Sequence, residues 1–305
     1  MSAPVPAPAL TPAQLTQWEE DGYLVLPSFF DAAETGEMLA RAHTLLDEFD
    51  VTGHPMTVFS TGSDEAKHVG DEYFLSSGDK IRYFLEPGSV VDGALTVPPA
   101  RAVNKIGHAL GVLDPVFAKY TFHARVQAVA RAIGAHKEPE VLQSMVICKQ
   151  PRIGGEVPAH NDSTFLYTDP PSAVGCWIAL DECTPANGCL SFLPGSHKTA
   201  RVSSRFVRAA AGGTEFVDVP GVEANELDWD KAEGWRQAPC PPGTLVLIHG
   251  SVMHRSPPNP SERTRMIYTF HMIEGADGWV YDERNWLQPT KEMPFTPLYE
   301  GPSHA

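Results

Sequence analysis

The chain has 305 residues, 42% of them hydrophobic, which is enough to bury a sizeable core in one large domain or two ordinary ones. Its 23 basic and 38 acidic residues give a formal net charge of −15 without a basic cluster, which argues against nucleic acid or an anionic membrane as the main partner. No apolar run approaches the roughly 18 residues of a membrane span, and we expect no secretory signal at the start of the chain. The five cysteines form no Cys-x-x-Cys pair, so we expect reduced, structural thiols in a cytoplasmic protein.

The first fifty residues predict two helices and a strand. Residues 1–10 are a Pro/Ala-rich segment that we expect to be a disordered tail. Thr11 followed by Pro12 predicts a helix start, and Gly22 its end. Residues 23–26 then read as a short strand, and Asp31 opens a second helix that runs to about residue 49.

The next stretch predicts loops and two further helices. Residues 50–103 contain many Gly and Pro and no helical period, so we expect strands and loops, with a charged hairpin-like segment at 74–84. Residues 104–111 and 122–133 are predicted helices, the second with an apolar face.

From residue 141 onward the pattern is that of short strands separated by Gly/Pro turns. The predicted strands are 141–149, 174–181, 189–193, 244–249 and 265–273. Such strands after a helical first part favour a β-sandwich or barrel with helices packed outside, and among these a jelly roll. No low-complexity linker separates the two parts, so residues 11–305 are expected to form a single domain.

A His-x-Asp pair in the segment 154–165 is the strongest indication of chemistry. His160 and Asp162 stand at i and i+2, and in an extended segment such side chains point to the same side. They can hold one divalent ion, and a second histidine would complete a facial set that leaves coordination positions open. Chance gives about 1.5 His-x-acid matches in this composition. The second match, at residues 136–138, lies in a charged, proline-bounded stretch typical of a solvated turn, so we place the site at His160.

Four histidines compete for the third ligand position because they lie on or beside later strands: His197, His249, His254 and His271. His254 follows the buried-type strand 244–248 and precedes Arg265 by eleven residues, which gives it a modest lead over His249. The other histidines are expected to be hydrogen-bonded structural imidazoles, namely His43, His54, His68, His108, His123 and His304.

The spacing of His160, Asp162, His254 and Arg265 resembles that of the phytanoyl-CoA dioxygenase family of Fe(II)/2-oxoglutarate-dependent oxygenases. The resemblance runs from about Thr11 to Tyr299 and includes the segments 21–25, 104–110, 187–190, 194–197 and 245–250. The segments 74–82, 143–145 and 285–289 are similar to one subgroup of that family.

The resemblance implies a double-stranded β-helix, or jelly-roll, core of mainly β structure with N-terminal and flanking helices. It also implies that His160, Asp162 and His254 are the catalytic Fe(II) ligands, with the remaining positions open to 2-oxoglutarate and O₂. The family often has Gln where this chain has Asn161, but the middle residue points away from its neighbours, so ligation should survive. Related halogenases have a small residue at the carboxylate position, so Asp162 argues for oxygenation.

The resemblance further implies five cosubstrate-binding residues. Arg265 would bind the distal carboxylate of 2-oxoglutarate through a planar guanidinium that can bond both oxygens, and Ser256 would add a hydroxyl donor. Lys105, Met145 and Trp177 would line the cosubstrate pocket, the first by its charge and the others as an apolar wall. Without the resemblance, Lys105 reads as a solvated helix charge, and Met145 and Trp177 as strand core.

The implied reaction converts 2-oxoglutarate and O₂ to succinate and CO₂ while it hydroxylates a small organic substrate, such as an acyl-CoA or another small carboxylic or lipid-like molecule. The acidic chain disfavours CoA, although Lys80, Arg82 and Arg101 could form a local basic patch, and loops 50–103 and 199–238 are expected to select the substrate. Two alternatives are a zinc hydrolase with the same three ligands and a 2-oxoglutarate-binding sensor that does not hydroxylate. A monomer is compatible with this size.

Overall fold

The computed structural model describes residues 10–58 and 71–302, so the predicted tail at 1–9, His68 and His304 lie outside the described residues. Leu10, the last residue of that tail, is partly buried against the core. The helices are α1 Pro12–Asp21, α2 Ala32–Asp47, α3 Glu72–Leu75, α4 Pro99–Ala102, α5 Leu110–Leu113, α6 Pro115–Thr121 and α7 Ala124–Ile133. None of the helices in the described ranges combines the length and the apolar composition needed to cross a membrane.

The first strands, in chain order, are β1 Tyr23–Leu26, β2 Ile81–Leu85, β3 Val90–Val91, β4 Ala94–Leu95, β5 Val103–His108, β6 Pro139–Lys149, β7 Val157–His160, β8 Thr168–Asp169 and β9 Val174–Ala179. The later strands are β10 Leu190–Phe192, β11 Ser204–Arg208, β12 Thr214–Asp218, β13 Arg236–Ala238, β14 Leu245–His249, β15 His254–Ser256, β16 Arg265–Glu274, β17 Val280–Tyr281 and β18 Thr296–Pro297.

Two antiparallel sheets form the jelly roll. The major sheet has the order β1-β14-β9-β16-β6-β5-β2, with β18 also paired to β6, and the minor sheet has the order β13-β10-β15-β7. Leu190 and Phe192 of the minor sheet belong to the same buried cluster as Trp177 and Ile267 of the major sheet. The sheets therefore face each other, as the jelly-roll prediction requires.

The other face of the major sheet is covered by helices. Tyr268 and Phe270 of β16 share a core cluster with Met38 of α2, Phe117 of α6 and Val129 of α7. β16 is buried along its whole length, and its polar residues Arg265, Thr269 and His271 alternate with apolar residues of that core cluster. Alternate residues of this strand thus support the fold on one side and face the minor sheet on the other.

The predicted starts of the first two helices are confirmed. Thr11 and Gln14 form a reciprocal capping box, and Gly22 ends α1 in the left-handed conformation at φ 78°. Asp31 caps α2 and forms the same box with Glu34. The helix predicted at 122–133 is also present, as α7 with His123 as its N-cap.

The helix predicted at 104–111 is wrong, since these residues form β5 and the beginning of the short α5. β5 pairs with β2 on one side and with β6 on the other, and this pairing overrides the local helical pattern. Gly107 is needed here because a Cβ atom would lie 2.9 Å from Cγ of Met145. The hairpin predicted at 74–84 is likewise wrong, because α3 and a turn precede β2.

Gly243 provides a test of the connection into β14. Its φ is 80°, and a Cβ atom there would lie 2.3 Å from the backbone oxygen of Phe30. Gly134 has a φ of 62°, and a Cβ atom there would meet nothing within 4 Å. Substitution of Gly134 therefore measures the cost of a left-handed backbone conformation without a steric clash. We expect Gly134→Ala to lower the free energy of unfolding by about 1–2 kcal/mol. Gly243→Ala should cost a further ~1–3 kcal/mol through the clash.

Urea denaturation of the two variants measures this difference, and equal m-values would show that the unfolded states are comparable. Equal losses of stability in the two variants would contradict the close approach of Gly243 to the segment before α2.

Candidate active site

The minor sheet brings two imidazoles together. His160 ends β7 and His254 begins β15, and the two residues are direct partners in the antiparallel register. Their ring centroids lie 4.2 Å apart. The backbone N–H of Met253 donates to Oγ of Ser196 at 2.9 Å, which fixes the residue before His254. The Pro-Gly-Ser-His segment at 194–197 thus helps to position a metal ligand candidate without contributing one.

Asp162 joins the imidazoles from the turn that follows β7. The extended segment ends at His160, and Asp162 opens a short 3-10 helix at residues 162–164, so the two residues do not share the uninterrupted strand that the motif predicted. Asn161 points away from the site, because its side-chain oxygen accepts from the backbone N–H of Thr164 at 3.0 Å. Oδ1 of Asp162 lies 3.8 Å from Nε2 of His160 and 3.7 Å from Nε2 of His254.

These three side chains can hold a metal ion, since one ligand atom of each lies within 4.8 Å of the others. Nδ1 of His160 lies 2.9 Å from the carbonyl oxygen of Pro158, and Nδ1 of His254 lies 3.1 Å from that of Val252. A carbonyl only accepts, so Nδ1 carries the proton in both rings and Nε2 presents a lone pair to the common centre. Two neutral imidazoles and one carboxylate are a donor set that suits Fe(II).

The protonation states also suit a cation. Burial, reinforced by the neighbouring His254, lowers the pKa of His160 to about 4, so its ring is neutral at pH 7. Burial alone would raise the pKa of Asp162, but attraction to the protonated forms of His254 and His271 outweighs it and holds the pKa below its usual range. The carboxylate is therefore ionised.

The three ligand candidates line a cavity of about 330 Å³ between the two sheets. All five residues predicted to bind the cosubstrate line the same cavity: Lys105, Met145, Trp177, Ser256 and Arg265. In the major sheet, Thr269 pairs with Met145 on one side and with Trp177 on the other, so these three residues form one row of the cavity wall. The structure thus brings together all eight residues that the sequence singled out.

Arg265 is buried at one end of this cavity. It is 2% exposed, and its Nη1 donates to the carbonyl oxygen of Gly188 at 2.6 Å and to Oγ of Ser256 at 3.3 Å. Ser256 in turn donates to Gly188 at 2.8 Å. Within the described ranges no carboxylate lies within ion-pair distance of Arg265, and its Nε has no hydrogen-bond partner. A buried guanidinium without a counter-ion is suited to an anionic ligand.

Lys105 is a strand residue in the cavity wall, not the solvated helix charge that its local sequence suggests. It is 5% exposed, and burial lowers its pKa to about 7, an effect that Glu86 partly opposes. Its charge is therefore sensitive to what occupies the cavity.

Sequence reasoning missed Lys149 and Glu86, which also line the cavity. Lys149 is the register partner of Arg265, and its Nζ donates to the carbonyl oxygens of Gly155 at 2.9 Å and Pro257 at 2.6 Å. Both residues stand in ordinary strand or loop sequence without a motif. The signal that finds Lys149 is the pairing of β6 with β16, which only the structure supplies.

The competing histidines lie in other environments, with one exception. His249 packs against His197, at a ring separation of 4.9 Å, and against Trp18. His108 is buried against Ser77 as a structural imidazole. Among the described residues the His-x-Glu match at 136–138 belongs to no group that could hold a metal ion. Nε2 of His136 lies 2.6 Å from the carbonyl oxygen of Ser172 instead. His271 is the exception, because its Nε2 lies 3.3 Å from Oδ2 of Asp162.

The five cysteines are free and buried. The backbones of Cys183 and Cys240 are paired by two hydrogen bonds of 2.9 Å. Both residues and Cys189 belong to the buried cluster that contains Trp177 and Ile267.

The choice of His254 over His249 can be tested by metal binding. We expect His254→Ala to weaken Mn(II) binding by more than the ~10–100-fold that loss of an outer-shell partner costs. His249→Ala removes an imidazole that packs against Trp18 and His197, outside the three-ligand group, and should leave the affinity unchanged. Electron paramagnetic resonance of free Mn(II) during a titration measures both, and weakened binding in His249→Ala with normal binding in His254→Ala would reverse the assignment.

Comparison with known proteins identifies relatives over nearly the whole chain. The family model described as Phytanoyl-CoA dioxygenase (PhyH) matches residues 18–267. The chain is 48% identical to phytanoyl-CoA dioxygenase domain-containing protein 1 of Bos taurus, over 95% of this chain and 99% of that protein. It is 45% identical to the homolog of that protein in Caenorhabditis elegans, over 93% of this chain and 98% of the relative. These relatives belong to the subgroup that the segments 74–82, 143–145 and 285–289 indicated.

A solved structure shares the fold. The crystal structure of EctD from S. alaskensis with 2-oxoglutarate and 5-hydroxyectoine aligns with a TM-score of 0.63 and 20% sequence identity, and the alignment covers 99% of this chain and 91% of that one.

Proposed function

Because the chain belongs to the phytanoyl-CoA dioxygenase family, we propose that this dioxygenase is an Fe(II)- and 2-oxoglutarate-dependent hydroxylase of a small organic molecule. The overall reaction joins 2-oxoglutarate, O₂ and a substrate C–H bond to give succinate, CO₂ and the hydroxylated substrate. One oxygen atom enters succinate and the other enters the product.

One observation carries this proposal: three convergent ligand atoms line the same cavity as a buried guanidinium that has no carboxylate partner in the part of the chain that the structure describes. In this proposal His160, Asp162 and His254 hold Fe(II), and the bound iron supplies the activation of O₂. The same three ligands would serve a zinc hydrolase, but such an enzyme gives no reason to bury Arg265 without a counter-ion.

The protein residues around the metal candidate position the cosubstrate. In this proposal Arg265 binds the distal carboxylate of 2-oxoglutarate with charge-assisted hydrogen bonds from the N–H groups that Gly188 does not accept. Ser256 adds a second donor when its one hydroxyl proton turns from Gly188 to the ligand. Gly188 accepts from both side chains and fixes their orientation before the ligand arrives. Trp177, whose ring centroid lies 5.7 Å from the Arg265 guanidinium carbon, excludes water from that end of the cavity.

The basic patch considered for a CoA substrate receives little support. Lys80 pairs with Asp79. Arg82 donates to Oγ of Ser76 and lies over the ring of Tyr73, 4.5 Å from its centroid. Of the three predicted patch residues, Lys80 is thus neutralised by a carboxylate, Arg82 is held by neutral groups and Arg101 is exposed. Together with the net charge of −15, this leads us to favour a substrate without the phosphates of CoA, such as a small carboxylic or lipid-like molecule.

The role of Arg265 provides the main test of the proposal. The anaerobic protein with Fe(II) and 2-oxoglutarate should show a visible metal-to-ligand charge-transfer band. We expect Arg265→Ala to weaken 2-oxoglutarate binding by the ~2–5 kcal/mol that truncation of a buried charge pair costs, or roughly 30-fold or more. Arg255→Ala, which removes a partly exposed guanidinium of the same cavity wall, is the control.

Titration of the band with 2-oxoglutarate measures the affinity of each variant. An unchanged affinity in Arg265→Ala would contradict its role, and the absence of a band in the wild-type protein would favour the zinc hydrolase instead. A band without turnover in the presence of candidate substrates would favour the sensor.

Lys105 predicts a pH dependence of cosubstrate binding. Its pKa of about 7 means that the free protein has a largely neutral Lys105 at pH 8. A dianionic ligand stabilises the charged form, so binding at pH 8 should take up a proton and the affinity should fall as pH rises above 7. Calorimetry in two buffers of different ionisation enthalpy measures the proton uptake. Burial also lowers the pKa of Lys149, in the wall of the same cavity, to about 7, so Lys105→Met should reduce the proton uptake rather than abolish it. Uptake that is unchanged in this variant would assign the proton to another group.

A further inference from the structure

His271 occupies a position beside the metal ligand candidates that the proposed function leaves without a role. It pairs with Gln143 of β6 on one side and with Gly175 of β9 on the other, in the centre of the major sheet. Its side chain lines the cavity, and its Nε2 lies 3.3 Å from Oδ2 of Asp162. The outer oxygen of the carboxylate therefore faces a ring that the sheet itself holds in place.

The hydrogen bonding of His271 has a defined direction. Nε2 of Gln143 lies 3.3 Å from Nδ1 of His271, and an amide nitrogen can only donate, so Nδ1 of the ring accepts. In the neutral ring the proton is then on Nε2, the ring nitrogen that lies 3.3 Å from Oδ2 of Asp162. The reversed amide would place the proton on Nδ1 and leave two lone pairs facing each other across the 3.3 Å gap.

The two oxygens of Asp162 are thus in different environments. Oδ1 lies between Nε2 of His160 and Nε2 of His254, whereas Oδ2 is buried against His271. Oδ2 has no hydrogen-bond partner among the described residues. Nε2 of His271, 3.3 Å away, is the polar atom that stands beside it. A buried carboxylate oxygen without a polar neighbour costs free energy. The contact with His271 therefore influences the orientation of the Asp162 carboxylate.

Gly175 keeps this contact open. A Cβ atom at that position would lie 3.3 Å from Oδ2 of Asp162, 3.3 Å from Nε2 of His271 and 3.3 Å from Cβ of Ile248. A methyl group would therefore crowd the carboxylate and the imidazole at the same time. β9 thus has its smallest residue at the point where the carboxylate and the ring meet.

We propose that His271, oriented by Gln143, is a positioning residue that holds Oδ2 of Asp162 and so restricts this carboxylate to a one-oxygen metal ligand. The proposal rests on the proposed metal-binding function. A carboxylate that offers only Oδ1 leaves one more coordination position for cosubstrate or O₂ than a carboxylate that binds through both oxygens. Residues that support a ligand in this way contribute to metal affinity without touching the metal.

Co(II) binding tests this role without turnover, because Co(II) reports its coordination through visible ligand-field bands. We expect His271→Leu to weaken Co(II) binding by about 10–100-fold and to shift these bands. His271→Gln retains an N–H donor of similar reach and should restore both toward the wild-type values. His249→Leu removes a histidine that lies outside the three-ligand group and is the matched control.

Two variants test the contact without altering His271. Gln143→Leu removes the donor that sets the ring tautomer, and Gly175→Ala crowds the contact, so both should shift the Co(II) bands in the same direction as His271→Leu. They carry the test if His271→Leu does not fold, which thermal melting of each variant decides. A merely structural histidine would change the melting temperature but not the bands, and the glutamine variant would not rescue it.

The outcomes separate this proposal from the function on which it rests. Wild-type Co(II) affinity and bands in His271→Leu, Gln143→Leu and Gly175→Ala would overturn the positioning role while leaving the metal site intact. A wild-type protein that binds no Co(II) would overturn both. A shift in the His271 and Gln143 variants with none in His249→Leu is the result that supports it.

Discussion

The register between β7 and β15 is the constraint on which the site depends. It places His160 directly opposite His254, and the turn after β7 then returns Asp162 to the same point. A slip of one residue in either strand would turn an imidazole to the other face of the minor sheet, because side chains alternate along a strand. Phe192 of β10 pairs with His254 from the other side and fixes the register across three strands. The site is therefore set by backbone pairing before any ligand is present.

The two sheets place different charged groups around the cavity. The major sheet contributes three buried basic residues, Arg265, Lys149 and Lys105, and the first two donate to backbone carbonyls. Burial lowers the pKa of both lysines to about 7, so an anion in the cavity favours their charged forms. Asp162 is the one carboxylate of the three-ligand group, so a bound divalent metal ion would leave that group with a net positive charge. Buried charges are costly unless they are compensated, so such a cavity is suited to an anion that reaches from the cations to the metal. A dicarboxylate cosubstrate has a negative charge at each end and therefore suits such a cavity.

Local sequence signals predicted the capped helices, the strands of the second half and the His-x-Asp pair, because caps, periodicity and spacing are local properties. Lys105 shows where such signals end: its segment has a helical pattern, yet pairing with β2 and β6 makes it a strand residue inside the cavity. The selection of His254 over His249 rested mainly on the family resemblance, since His249 ends β14 and His254 lies only five residues later. The relation of His271 to Asp162 had no local signal, because it depends on which strands lie next to each other and on how β7 ends.

The most direct test of the oxygenase assignment is the fate of 2-oxoglutarate when O₂ is admitted to the anaerobic Fe(II)-loaded protein. We expect succinate to form in amounts that depend on Fe(II), to be lost when Zn(II) replaces iron, and to be lost in Asp162→Ala while the variant remains folded. Succinate that forms equally with Zn(II) or without Asp162 would contradict the assignment of this site as an iron centre that couples 2-oxoglutarate to O₂.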